Sequence, residues 1–440
     1  MLKSFMRPPR AALRLCAAVV AAFAAAHVLA QPTSLTLDDA LRLAEQRSRQ
    51  LPAQQASASA ARDMAVAASR LPDPALKLGL NNLPIDGPDA FSTTRDFMTM
   101  RSIGLMQEFT SSDKRQARAA RFDREAGAAE AGRALALASL RRETALAWLA
   151  RYYIDRTREL LRAQRGEAAL QIEADEAAYR GGRGAQADVF AARAMVARLD
   201  DRLRQTEQQG VAAQAQLARW VGPEAALPLA AAPPFDRVAF DATSESAPWQ
   251  RHPQIALLAG QEAVARAEAE VARSNQRPDW SAELMYNQRG SSYSNMVSIN
   301  FSIPLQLDAA QRQDRELGAK LALAEQAREL QEEAMREAVA ETRGWAGQWR
   351  VLRERLAHYD ATLMPLARER TQAAISAYRG GGGPLDAVLE ARRMEIETQL
   401  ERLDIEREAA SLWARLEMLL PPPMEGAAPL QHTSSKQESR

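Results

Sequence analysis

Four short segments of this 440-residue chain alternate between apolar and polar side chains. Leu76, Leu78 and Leu80 alternate with Lys77, Gly79 and Asn81. Trp280, Ala282, Leu284 and Tyr286 alternate with Ser281, Glu283, Met285 and Asn287. Val297, Ile299, Phe301 and Ile303 alternate with Met296, Ser298, Asn300 and Ser302. In the fourth segment Ile103, Leu105 and Phe109 share a face opposite Ser102 and Gly104, with Arg101 a mismatch on the apolar face. Successive side chains of a strand point to opposite faces, so each segment predicts a strand with one apolar and one polar face. A half-buried sheet in water shows this alternation, and so does a membrane β-barrel. Each segment is about long enough to cross a bilayer when tilted. Trp280 and Tyr286, at the two ends of one strand, suit interfacial girdles. On the barrel reading Leu78, Ile103, Leu284, Ile299 and Phe301 face lipid, and Ser281, Glu283, Asn300 and Ser302 face a lumen. Four strands do not close a barrel, since small barrels need about eight. The chain must then pool strands with its own copies, and three copies give an even-numbered barrel of twelve.

The rest of the chain reads as helix. One helix is expected over Leu37–Arg70 and another over Pro253–Gln276. The segments Asp113–Tyr179 and Asp308–Tyr378 contain almost no helix breakers, and Pro365 predicts a kink in the second. Each would run about 100 Å if continuous. Return helices are expected over Ala185–Trp220 and Pro384–Leu419. The apolar stripes are narrow and rich in alanine: Ala134, Leu137, Ala145 and Trp148 in one helix, Leu385, Val388, Leu389 and Ile396 in another. Such stripes suit coiled-coil packing between neighbours.

The elements recur in order. Tyr179-Arg180-Gly181-Gly182 returns 199 residues later as Tyr378-Arg379-Gly380-Gly381, and Val189, Ala192 and Arg193 return as Val388, Ala391 and Arg392. Met100-Arg101-Ser102-Ile103 parallels Met296-Val297-Ser298-Ile299, and Leu71-Pro72-Asp73 parallels Arg277-Pro278-Asp279. Fixed order with drifting offset marks a duplication. The expected organisation is a first repeat over 31–222, a linker over 223–248, a second repeat over 249–420 and a flexible C-terminal tail over 421–440. Residues 1–30 read as a cleaved signal peptide. Lys3, Arg7, Arg10 and Arg14 precede the apolar run Leu15–Ala26, and Val28-Leu29-Ala30 forms a small-residue cleavage site.

Composition narrows the chemistry. A net charge of +1 gives no nucleic-acid footprint. The one cysteine, Cys16, lies inside the signal's apolar run, which continues past it, so neither a disulfide nor lipidation is expected. After cleavage no apolar stretch is long enough for a membrane helix, so any crossing must use strands. His252, His358 and His432 show no metal-ligand spacing, so no resident metal, cofactor or catalytic constellation is expected. The Gly-rich turns lack the Gly-Lys-Ser/Thr ending of phosphate loops and instead suit tight helix reversals. Met98, Met100 and Met106 fall on one parity of a strand. Thioethers bind soft ions such as Cu(I), but adaptable packing or lumen lining is the plainer reading.

The duplicated plan, together with the turn motif carried by Tyr179, Gly182, Asp188 and Val189 and again by Tyr378, Gly381, Asp386 and Val388, resembles the TolC-type outer membrane factors over essentially the whole mature chain. The segment from Leu83 to Phe91, then Thr94 to Arg101 and Gln107-Glu108-Phe109, resembles their heavy-metal (CusC/CzcC-like) efflux branch. The resemblance implies a mixed α/β, mainly α, membrane protein: a homotrimer whose 12-stranded outer-membrane β-barrel, four strands per chain, continues into a long periplasmic α-helical barrel. It implies residence in the outer membrane of a Gram-negative bacterium, in contact with outer-membrane lipid. The implied partners are a periplasmic adaptor (membrane fusion) protein and, through it, an inner-membrane pump of the resistance-nodulation-division type. The implied cargo is heavy-metal cations, of the copper/silver or cobalt/zinc/cadmium class. A gate is implied at the helix turns. Asp188 and Glu390 match acidic family positions, Asp386 lies one residue off another, and Tyr378 matches a gate tyrosine. The family's gate arginine falls on Gly383, leaving Arg183 or Arg379 to supply the charge, with Tyr179 beside Gly181 and Gly182 in one turn and Gly380 and Gly381 in the other. Ducts for drug efflux or type I secretion share this plan. A periplasmic coiled-coil adaptor would have one hairpin rather than two, and no pore.

Overall fold

The computed structural model describes residues 34–182, 184–238 and 249–420. The expected signal peptide, the last part of the expected linker, Arg183, His432 and the tail over 421–440 lie outside the described residues. In chain order the elements are α1 (Leu37–Arg47), α2 (Gln50–Ala68), β1 (Ala75–Asn81), β2 (Met100–Phe109), α3 (Ser112–Arg180), α4 (Gln186–Val221), α5 (Pro253–Ser274), β3 (Trp280–Gln288), β4 (Met296–Ser302), α6 (Gln313–His358), α7 (Met364–Arg379) and α8 (Leu385–Glu417).

The single helix expected over Leu37–Arg70 is two helices. Pro52, in the first turn of α2, has no amide to donate and so belongs at a helix start. The Ser48 hydroxyl accepts the Leu51 amide there at 3.4 Å. The second long helix starts at Gln313 rather than Asp308, because Asp308 and Ala309 carbonyls are taken by i+3 turns to Gln311 and Arg312. α3 runs unbroken for 69 residues. It is rich in Ala, Arg, Glu and Leu, the strongest helix formers, and has no proline. Pro365 sits in the first turn of α7, and directly before it Tyr359–Leu363 widens into a π-turn. That loosening accommodates the ring and the missing amide, at the place where the kink is expected.

Two compact units form, each drawing on both halves of the sequence. Among the described residues, one holds Glu143–Arg237 and Leu352–Ser411 with the chain from 34 to Arg47. Its core joins three helices through Leu161 of α3, Leu199 of α4 and Ile396 of α8, flanked by Ala168, Met195, Leu203 and Leu400. Burying each of the three contributes about 1.5–3 kcal/mol. Gln164 bonds Gln399 at 3.0 Å and Arg392 bonds Glu167 at 2.7 Å across the same helices. Exposed pairs such as Arg165–Asp200 add at most about 1 kcal/mol each. Farther along α3, the fully buried Trp148 donates its indole N–H to the Leu35 carbonyl at 3.2 Å. The buried Arg151 guanidinium donates to the carbonyls of Ala225 and Leu227. These bonds tie the segment after α4 to α3 and satisfy carbonyls that no helix uses.

Among the described residues, the other unit holds Ser48–Arg142, Val238–Val351 and the chain from Leu412 to 420. Its sheet has the order β1-β2-β3-β4, every pair antiparallel. Register places Leu78 opposite Ile103, Leu105 opposite Leu284 and Leu284 opposite Ile299. β2 and β3 pair although two long helices separate them in sequence. Helix α5 approaches α3 closely at Gly260, where a Cβ would lie 2.9 Å from the Ala128 Cα.

Candidate functional site: the sheet and the helix turns

The sheet inverts the usual polarity. Leu78 is 73% exposed, Phe301 69% and Ile299 64%, whereas Ser102 is 7% and Asn287 4% exposed on the other face. Polar side chains satisfy one another there. Asn81 donates to the Ser102 hydroxyl at 3.0 Å, Asn287 to the Ser298 hydroxyl at 3.0 Å, and Lys77 to Glu283 at 3.0 Å. Gly104 lies opposite Lys77, and the space its missing side chain leaves is taken by the Met285 side chain. A half-buried sheet in water covers its apolar face, whereas here the apolar face is uncovered, and Ser102 and Asn287 on the two central strands are shielded by neighbouring polar side chains.

The residues expected to face lipid share the exposed side, and Ser281, Glu283, Asn300 and Ser302 share the other. Arg101, the sequence mismatch, lies at the loop end of β2 opposite Gln288, where a bilayer would place headgroups. Phe109 stacks on Trp280 at 4.2 Å and Phe301 lies 6.4 Å from Trp280, which gathers aromatics at the helix end of the apolar face. β1 and β4 are the outer strands, and among the described residues their free edges have no strand partner. Unpaired edges template pairing with another chain. At the foot of the sheet Lys114 and Asp279 form an ion pair of 3.0 Å with little exposure, which joins the start of α3 to β3.

The loops beyond the other end of the sheet are tied together. Arg289 donates to the Phe97 carbonyl at 2.9 and 2.5 Å. Met98 sits in this region rather than in a strand: β2 begins at Met100, and the Met98 amide bonds Asp96 at 2.8 Å. The expected strand cluster of three methionines thus loses a member.

The two helix turns have one conformation. Gly181 and Gly182 donate to the Ala177 and Tyr179 carbonyls, and Gly380 and Gly381 donate to Ser376 and Tyr378. Gly182 has φ 69° and Gly381 φ 72°, the left-handed region that ends helices and favours glycine. A Cβ at Gly383 would lie 3.1 Å from the Ala377 Cβ, so the chain folds back closely over α7 at the position where the family pattern has its arginine.

The expected gate residues divide here. Tyr179, Arg379, Asp386 and Glu390 are exposed, and Glu390 accepts from Arg393 at 3.2 Å within α8. Asp188 is half-buried, and its carboxylate accepts the Ala185 amide at 2.9 Å, capping the start of α4. Burial first, then the negative charges of Asp175 and Asp188, raise the Tyr378 hydroxyl above its ordinary range. Asp175 is the residue that sequence reasoning misses. It is buried on α3, one carboxylate oxygen accepts from Gln171 at 2.8 Å, and the other has no hydrogen-bond partner. Burial and the Asp188 charge raise its carboxyl above the usual value. Its only sequence signal is its place one turn before Tyr179. Of the histidines, His252 precedes α5 with its ring buried, and burial lowers its pKa. His358 is exposed at the end of α6.

Residues 248–420 match the family model described as outer membrane efflux protein. No curated protein sequence matches the chain. Among solved structures, the outer membrane protein VceC of Vibrio cholerae superimposes with a TM-score of 0.70 at 20% identity, over 87% of this chain and 95% of that one. The Campylobacter jejuni CmeC outer membrane channel gives 0.73 at 12% identity, over 87% and 85%. CusC, described for its transmembrane channel formation, gives 0.66 at 16% identity, over 88% and 92%. The chain has the fold of these outer-membrane channels, mainly helical with one small sheet.

Proposed function

We propose that the chain is the outer-membrane channel subunit of a tripartite efflux system and that its cargo is heavy-metal cations. Three copies pool their strands through the free edges of β1 and β4, which closes a twelve-stranded barrel with the apolar face toward lipid and the polar face around water. The helices continue the duct on the periplasmic side. A periplasmic adaptor docks there and couples it to an inner-membrane pump of the resistance-nodulation-division type, which supplies the energy. The observation that carries the channel reading is the exposed apolar face opposite a hydrogen-bonded polar one. A soluble adaptor has no use for that arrangement. The metal cargo rests on the Leu83–Phe109 segment and its resemblance to the heavy-metal branch.

The duct is tested by extraction from outer membranes as a heat-labile trimer that conducts in planar bilayers; a soluble periplasmic monomer would overturn it. The cargo is tested by deletion. Lost resistance to metal salts supports metal export, and lost resistance to drugs with metal resistance intact assigns the duct to drugs.

The helix turns are the proposed gate, with Asp188, Tyr378, Asp386 and Glu390 around the opening. Three-fold repetition of these carboxylates in a narrow ring focuses the field and attracts cations. Asp188→Ala with Asp386→Ala is expected to raise single-channel conductance and weaken cation selectivity. Unchanged values would leave the turns as plain reversals.

A further inference from the structure

The methionines of the sheet are segregated by face. β2 contains Met100 and Met106, β3 contains Met285 and β4 contains Met296. Register puts all four on the polar face, with Ser102, Glu283, Asn287 and Ser298. The apolar face has Leu, Ile, Val, Phe, Trp and Tyr but no methionine. Apart from Ala75, methionine is the only apolar side chain that the polar face carries. Hydrophobicity does not explain this, because a water-facing position gains nothing from burying a thioether. Gap filling accounts for Met285, which enters the space that Gly104 leaves, but no such gap stands beside Met296, which is 48% exposed.

Three of the four lie on one diagonal. Met106 is directly opposite Glu283, Met285 is opposite Ser298, and Met296 is opposite Asn287. Each step moves one strand across and two residues along, about 7–8 Å, within reach of long side chains. The diagonal starts at Met106, toward the helix end of β2, and finishes at Met296, the first residue of β4 after the loop. Every thioether therefore has a side-chain oxygen directly across from it. At the first step one Glu283 oxygen is held by Lys77, and the other is buried without a partner. Met285 leans toward β2 into the space that Gly104 leaves, where a Cβ would come within 2.6 Å of the Met285 Cγ. At the last step Met296 is 48% exposed, and the Arg289 guanidinium stands 3.9 Å from its sulfur, a positive charge that weakens cation binding there.

We infer that Met106, Met285 and Met296, with Glu283 beside the first, form a track of weak thioether–oxygen stations for a soft monovalent cation, Cu(I) or Ag(I), along the barrel lumen. This rests on the channel reading, since the polar face must line water. It also narrows the cargo from heavy metals in general to soft ions, the class that thioethers select. Stations that bind weakly and repeat let an ion enter and leave, as conduction requires. Arg289 makes the outermost station the one that releases.

The probe is silver nitrate, which avoids copper redox chemistry, titrated calorimetrically into the full-length trimer in detergent with nitrate salts throughout. Met106, Met285 and Met296 are replaced together by leucine, a volume-conserving change; Met98→Leu, off the strands, is the control. The expected result is a loss of Ag(I) affinity of roughly tenfold or more in the triple variant and none in the control. X-ray absorption at the silver edge should show a sulfur shell in the wild type that disappears in the triple variant. Potassium nitrate conductance, the same in wild type and triple variant, shows that the duct is intact. Equal silver affinity in wild type and triple variant, a sulfur shell that persists, or an equal loss in the control overturns the track. A wild-type trimer that passes no potassium current fails the channel reading instead, whatever silver does.

Discussion

On the apolar face of the sheet leucine, isoleucine, valine and phenylalanine are exposed; in the helical hairpins leucine and isoleucine form a buried core, although Leu170, Phe190 and Val211 stay exposed there. Leu161, Leu199 and Ile396 form a core from which Arg162–Glu207 and Arg165–Asp200 face outward. Leu78 and Phe301 are 73% and 69% exposed. The chain obeys one rule in both places, that apolar surface avoids water. The hairpins bury much of it against protein, and on the barrel reading proposed above the sheet presents it to lipid. Exposure of hydrocarbon thus reports on the solvent of each region rather than on poor packing.

The largest expected effect separates these two environments. Leu161→Ala leaves a cavity among packed helices and should cost about 2–5 kcal/mol, read as lower helical stability in thermal unfolding. Leu78→Ala should cost clearly less, because detergent or lipid fills the space. Equal losses would mean that the sheet packs against protein after all. Next, Phe301→Arg should cost about 2–4 kcal/mol near the bilayer midplane, and Asn300→Arg far less. The yield of heat-labile trimer measures this, and equal yields would reject the assignment of faces.

A third, smaller effect tests whether the two turns are equivalent. Gly182→Ala and Gly381→Ala each force a Cβ into left-handed backbone and should cost about 1–2 kcal/mol by thermal unfolding. Gly380, at φ −77°, should lose less. Unequal costs at Gly182 and Gly381 would break the repeat's symmetry at the turns.

The smallest effect is one of pH. Asp175 has a carboxyl pKa raised on folding, by burial and by Asp188, above its ordinary 3.8. The folded chain therefore binds that proton more tightly than the unfolded chain. The stability this contributes is fully present below 3.8 and is lost as pH rises through the raised value. Asp175→Asn should flatten this part of the melting temperature's pH profile, by comparison with wild type. An unchanged profile would show that Asp175 is not the titrating group.

Much of this was legible before any coordinates. Period-two alternation marked all four strands and both faces, because side-chain direction in a strand depends only on parity. Met285 and Met296 were already visible on the polar side by that rule. Proline, glycine and the absence of breakers marked a kink at Pro365, the two glycine-rich helix turns and the length of α3, since these are local properties of the backbone. Local pattern failed where a short-range detail competed, as at Ser48 and Pro52, where one apparent helix is two.

What the sequence determined by itself was therefore most of what neighbours a few residues apart set: strand parity, the unbroken length of α3, the turn positions and the ordered recurrence of elements. Only the tertiary structure decided that the apolar face of the sheet stays exposed, because that depends on what lies beyond each strand. It also decided that Met106, Met285 and Met296 fall on one diagonal, since register between β2 and β3 is fixed across two long helices. It decided that Asp175 is buried with one oxygen unsatisfied beside Asp188 and Tyr378, because burial on a helix depends on which helices pack against it. Pairings between distant segments follow from the packing of the whole chain, and no local pattern encodes them.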